Sequence, residues 1–131
     1  MDLDFSSFDP STALAAIVSC TESEIVARTS CLPPYLALEA MAQACGMHLR
    51  HLHDFKVQAY LVSVSDLVDT PGREDMPLTI RASLTAETTA GASYLVTVDD
   101  GPACRILIGR QASDQTDTFF RSRFSCLRQA S

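Results

Sequence analysis

The most constraining feature of the chain is the stretch Leu32-Pro33-Pro34-Tyr35-Leu36-Ala37-Leu38-Glu39-Ala40-Met41-Ala42-Gln43-Ala44-Cys45-Gly46. Two prolines mark a helix start, because proline is tolerated in a first turn where its missing N–H had no partner. The residues that follow are apolar nearly all round, and such a helix belongs in a core with other elements wrapped about it. Glu39 stands in that helix with Gln43 one turn later. A carboxylate is expensive to bury unless it is paired or neutralised. This pattern predicts a helix over about 34–53 and a carboxylate that is either structurally partnered or used.

Flanking segments read as strands. Residues 13–20 and 24–29 are short β-leaning runs either side of Thr21-Glu22-Ser23, a hairpin. Residues 58–68 and 78–87 alternate apolar and polar side chains, and 92–98 and 103–108 are further short runs joined by the turn Asp99-Asp100-Gly101-Pro102. Residues 69–75 are turn-rich. The order is β-β-α-β-β-β-β, an α+β arrangement, and Phe120, Phe124 and Leu127 at helical spacing predict a short helix in the tail. The length of 131 residues and 47% hydrophobic content suit one domain with a core over 12–109 and a tail over 110–131.

Charge and cysteine usage narrow the function classes. The net charge of −6 argues against nucleic-acid binding. Residues 110–131 carry four arginines against two aspartates, a net of +2, which leaves −8 on residues 1–109. The tail is therefore the one candidate basic patch for an acidic partner, its alternative being a solvated terminal helix. No apolar run is long enough to span a membrane. The acidic N-terminus lacks a signal-peptide pattern, so the expected location is the cytoplasm. Five scattered cysteines without a C-x-x-C pair point to reduced, mostly buried thiols and no metal site. Cys31, just before a helix start, is a possible nucleophile by position, with buried thiol as the default reading.

The segment from Pro33 to Gly46 resembles the central-helix motif P-G-V-L-x-x-E-A-M-A-Q-x-x-G of the β-hydroxyacyl-(acyl carrier protein) dehydratases: the Pro, Glu39, Ala40-Met41-Ala42-Gln43 and Gly46 keep their spacing. The resemblance implies a hotdog fold, one long helix wrapped by a curved antiparallel sheet, paired as a dimer. It also implies a role for Glu39 in serving the hydroxyl that leaves a 3-hydroxyacyl thioester, with Gln43 and Gly46 lining an acyl-pantetheine slot. No cofactor is implied. Independently of the family, Glu39 and Gln43 share a helix face about 40° apart, with Gly46 about 20° to the other side of Glu39. The plain structural reading of the three is a Glu–Gln pair beside a glycine needed for close packing.

Two parts of the family's machinery are missing. Its histidine lies ahead of the motif, in H-F-P-G-x-P-x-x-P-G. Counting back without gaps reaches Ile25, and no histidine precedes Glu39. His48, His51 and His53 all follow on the same helix, about 180° round, about 120° round and ~20 Å along the axis respectively. None meets the substrate carbon that Glu39 serves, and all three are expected at the helix end or surface. The family's carbonyl-polarising N–H belongs to a glycine, and here Pro34 has none to give. The amide of Tyr35 is the expected substitute, free at a helix start.

Three functions follow as expectations. The first is an accessory subunit of a heterodimeric dehydratase, supplying Glu39 to a site whose histidine comes from a partner. The chain is similar to short dehydratase-like proteins that accompany a catalytic dehydratase in bacterial polyene and polyketide-type lipid pathways. The second is a hotdog thioesterase using Glu39 alone. The third is a non-catalytic acyl-thioester binding protein. The expected partners are an acyl carrier protein or coenzyme A thioester and a second hotdog chain, through a homodimer or heterodimer interface at the strand 92–98 or its neighbours.

Overall fold

A computed structural model describes residues 13–31, 33, 36–67 and 76–130. The turn-rich loop 69–75 and the residues Pro34 and Tyr35 lie outside the described residues. The elements are β1 (Leu14–Cys20), β2 (Glu24–Thr29), α1 (Ala37–Leu52), β3 (Val57–Ser65), β4 (Thr79–Thr88), β5 (Gly91–Val98), β6 (Cys104–Ala112) and α2 (Thr118–Gln129). The strands form one antiparallel six-stranded sheet in the order β1-β2-β4-β5-β6-β3. The long α1 packs against every strand, which is the hotdog arrangement.

The packing follows from where the apolar residues fall. Alternate strand residues (Ile17, Ile25, Ile80, Ala82, Tyr94, Val96, Ile106 and Ile108) point inward and meet Ala40, Met41, Ala44, Cys45 and Leu49 of α1. The small residues of α1 let the helix lie close to the sheet. Every residue from Ala44 to Arg50 is buried, so the helix is enclosed over nearly two turns before the exposed His51. Its N-terminal half has one open face, and Glu39 is exposed there. The carboxylate is therefore not buried within this chain, contrary to the expectation for an all-round apolar helix.

The β5–β6 connection turns through Asp99 and Asp100, at φ 52° and 59°, and closes with Gly101 N–H donating to the Val98 carbonyl at 2.9 Å. Both central residues in the left-handed region make this a hairpin turn that matches strand twist. Gly91 and Gly109 serve close approach. A Cβ on Gly91 would strike the Ile108 backbone, and Gly109 lies under the Tyr60 ring across the β3–β6 pair.

The two sheet edges differ. On β1, Arg123 of α2 donates to the Leu14 carbonyl at 3.0 Å and Arg128 to the Val18 carbonyl at 3.2 Å. Asp117 caps α2 by accepting from the Phe120 N–H, and Phe124 and Leu127 seat the helix on the core. The arginine-bearing tail is thus a strap over an edge strand rather than a solvated helix. β3 is the other edge: Arg50 donates to its Ala59 carbonyl, and beyond that point Tyr60, Leu61 and Val62 are 55%, 44% and 58% exposed. Val62 is the extra residue of a bulge, between the pairs Leu61↔Ile108 and Ser63↔Leu107. β5, expected at the interface, is an interior strand with both backbone edges paired. The free edge belongs to β3, beyond its neighbour β6.

Cys45 and Cys104 are buried, and burial pushes the Cys45 thiol far above its ordinary range. Cys31 and Cys126 are exposed and Cys20 is half-buried, so the thiols are less buried than expected.

Candidate active-site cavity

One cavity of about 510 Å³ lies between α1, β3 and α2. Its helix wall is Glu39, Gln43, Gly46 and Arg50, spaced i, i+4, i+7 and i+11, a single stripe down the helix face. Ala59, Tyr60 and Leu61 of β3 form the second wall, and Phe119, Phe120 and Arg123 of α2 form the third. The three residues expected to share a slot are thus brought together. Gln43 Nε2 donates to Glu39 Oε1 at 3.3 Å, so the amide orients the carboxylate at the open end of the helix.

Gly46 has a specific packing reason. A Cβ there would come within 3.1 Å of Arg50 Nη1, so the missing side chain is the space the guanidinium occupies. Arg50 is 91% buried, with 9% exposure. Its Nη2 donates to the Ala59 carbonyl at 3.0 Å and its Cζ lies 3.7 Å from the Phe120 ring centroid, a cation–π contact. Burial lowers its pKa, against a smaller raising effect from the charge of Asp117. Arg50 and the α2 residues were not expected from the sequence. The signal for Arg50 was available, since eleven residues at ~100° each bring it to within about 20° of Glu39.

No histidine lines the cavity. His48, expected at the surface, is fully buried on the opposite side of α1. Its Nε2 lies 2.8 Å from the Thr21 carbonyl and its Nδ1 2.7 Å from the Tyr94 hydroxyl. A carbonyl only accepts, so Nε2 carries the proton and Nδ1 accepts from Tyr94. Desolvation lowers the His48 pKa, partly offset by the hydrogen bond to Thr21. The correction has a simple cause: the far side of α1 faces the sheet, and Tyr94 and a hairpin carbonyl satisfy both ring nitrogens there. His51 is exposed and stacks on Phe124 at 4.4 Å between centroids. His53 joins Glu87 and Arg110 in a partly exposed ionic cluster. Ile25 is wholly buried in β2. Among the described residues no three His, Cys, Asp or Glu side chains gather as a metal site would require.

No known family model matches the sequence, and no curated protein matches it. The fold is similar to a solved structure described as "The Dehydratase Heterocomplex ApeI:P from Xenorhabdus doucetiae". The TM-score is 0.60 at 14% identity, over 90% of this chain and 91% of that one. With the six-stranded sheet about α1, this establishes the α+β hotdog fold. No helix among the described residues is long and apolar enough to cross a membrane.

Proposed function

We propose that this chain is an accessory subunit of a 3-hydroxyacyl-thioester dehydratase, contributing Glu39 to a site completed by a histidine from a partner hotdog chain. One observation carries the reading: Glu39 and Gln43 stand at the open end of an acyl-sized cavity, yet every histidine of the chain is directed elsewhere. A carboxylate so placed lacks a base for the C2 proton. The uncovered β3 edge, with three consecutive exposed apolar residues and one free backbone side, is where a second hotdog chain would dock. The likeness to a chain of a dehydratase heterocomplex supports the same pairing.

In the completed site the partner's histidine removes the C2 proton of the substrate. The C2–H electron pair becomes the C2=C3 double bond, and the C3–O bond breaks. Glu39, as the acid, delivers a proton to the departing hydroxyl, which leaves as water. Gln43 holds the Glu39 carboxyl toward the substrate. The carbonyl-polarising amide is assigned to Tyr35, next in sequence to Pro34, which has no N–H to offer. The substrate is carried on an acyl carrier protein or coenzyme A, in cytoplasmic fatty-acid, polyene or polyketide-type lipid synthesis.

The test is reconstitution. The isolated chain should dehydrate 3-hydroxyacyl thioesters poorly, because loss of a general base costs about 10²–10⁴-fold. Mixing with a histidine-bearing hotdog dehydratase chain that binds it should restore turnover. Turnover by the isolated chain within tenfold of the mixture would overturn the accessory reading. Thioester hydrolysis by the isolated chain that depends on Glu39 would replace it with a thioesterase.

A further inference from the structure

The cavity holds a cation that the dehydration chemistry does not use. Arg50 lies on the same helix stripe as Glu39, and its Nη1 sits over Gly46 at the cavity wall. A rise of about 1.5 Å per residue puts the guanidinium roughly 10 Å along the axis from Glu39, the reach of a medium-length acyl chain. A guanidinium has five N–H donors. Among the described residues its protein partners are one carbonyl, that of Ala59, and one aromatic face, that of Phe120. Among the described residues its Nε–H, sealed from solvent, has no acceptor and no ion pair includes Arg50. The nearest acid that influences it, Asp117, is engaged in capping α2 and accepting from Gln58. A buried charge in this condition is unfavourable in the empty protein and is relieved by an acceptor arriving from the cavity.

We propose that Arg50 is a specificity-determining residue that receives an oxygen group at the far end of the acyl chain, so that the cavity selects oxygen-terminated acyl thioesters over plain alkyl ones. The proposal rests on the reading of the cavity as an acyl-thioester site. Phe119, Phe120 and Tyr60 form the apolar walls around the chain, and Arg50 supplies the polar terminus. A planar fork of donors suits a carboxylate or other oxyanion better than a neutral alcohol.

The test uses the full-length protein and two probes, decanoyl-pantetheine and its ω-carboxy counterpart, compared by isothermal titration. The ω-carboxy probe should bind about 10- to 100-fold more tightly, as charge-assisted hydrogen bonds in a desolvated site are worth. Arg50→Met should erase or reverse that preference while the decanoyl probe binds as well as before or better. A purely structural Arg50 would weaken both probes alike, which overturns the proposal. Equal binding of both probes to the unmodified protein overturns it without recourse to a variant and leaves the thioester reading standing. Binding of neither probe overturns the thioester reading, and this inference with it.

Discussion

Tyr94→Phe isolates the one histidine whose position argues most strongly against independent catalysis. Tyr94 and His48 are both fully buried, and among the described residues the hydroxyl is the donor to His48 Nδ1. Removing it keeps the edge-on ring contact, whose centroids are 5.4 Å apart, but leaves the imidazole lone pair in a dry core. An unsatisfied buried acceptor costs about 1–3 kcal/mol. For a chain of 131 residues that corresponds to a fall in Tm of roughly 4 °C for each kcal/mol. Thermal unfolding by circular dichroism measures it, alongside dehydration by the reconstituted complex at a temperature where the variant stays folded. The expected result is a lower Tm with turnover unchanged. A Tm within about 1 °C of the parent, combined with a loss of turnover on the general-base scale of ~10²-fold or more, would show His48 in the reaction and refute the partner-histidine argument.

Two further outcomes follow from the same geometry. Burial holds the His48 pKa below its ordinary value, so the unfolded chain takes up a proton that the folded chain resists. Its contribution to stability is full above the unfolded pKa of about 6.5 and is lost as pH falls toward the depressed folded value. Urea unfolding at pH 7.5 and pH 5.5 should show this decline, and the decline should be smaller in His48→Gln; equal slopes in both proteins would count against the assignment. Val62→Lys places a charge on the uncovered β3 edge at its bulge, where the side chain touches neither the core nor the cavity. It should weaken association with a second hotdog chain at least tenfold in analytical ultracentrifugation while leaving Tm within about 2 °C, and unaltered association would locate the interface elsewhere.

The fold was legible because its signals are local. The helix announced itself by prolines followed by small apolar residues, two strands by alternation and the other four by short β-leaning runs between turns. The observed bounds differ chiefly at α1, which starts at Ala37, and at β6, which continues from Ile108 to Ala112 to pair with β3. The helix stripe was legible too, since Glu39, Gln43 and Gly46 follow from helical geometry alone. What the sequence could not convey is which faces are covered. His48 looked like a surface residue because its partners, Tyr94 and the Thr21 carbonyl, are 46 and 27 residues away. The tail arginines looked like a solvated or carrier-binding patch because the carbonyls they reach belong to β1, more than a hundred residues earlier. Arg50 was missed for the opposite reason: a cation near a helix C-terminus already has an ordinary explanation in the helix dipole.

Exposure of Glu39 makes Glu39→Gln a sharp test of what that residue is for. Were Glu39 a structural anchor in a buried charge-assisted bond, the substitution would cost roughly 1–3 kcal/mol. The structure removes most of that. The contact to Gln43 is a 3.3 Å hydrogen bond between side chains four apart on an open face, a pairing worth about 0.2–0.5 kcal/mol. A further contribution is the favourable placement of a negative charge in the first turn of α1, about 0.3–1 kcal/mol. A glutamine retains the hydrogen-bonding shape and loses the dipole term, so stability should fall by less than about 1 kcal/mol, a few degrees in Tm. Among the side chains that line the cavity, Glu39 is the one carboxyl that could serve the departing hydroxyl. The cavity's other polar side chains are an amide, a phenol and two guanidinium groups, none of them a carboxyl. Turnover by the reconstituted complex should therefore fall about 10²–10⁴-fold, with partner binding unchanged. A drop in Tm beyond about 5 °C, with full turnover in the fraction that remains folded, would show that Glu39 holds the structure together and does no chemistry.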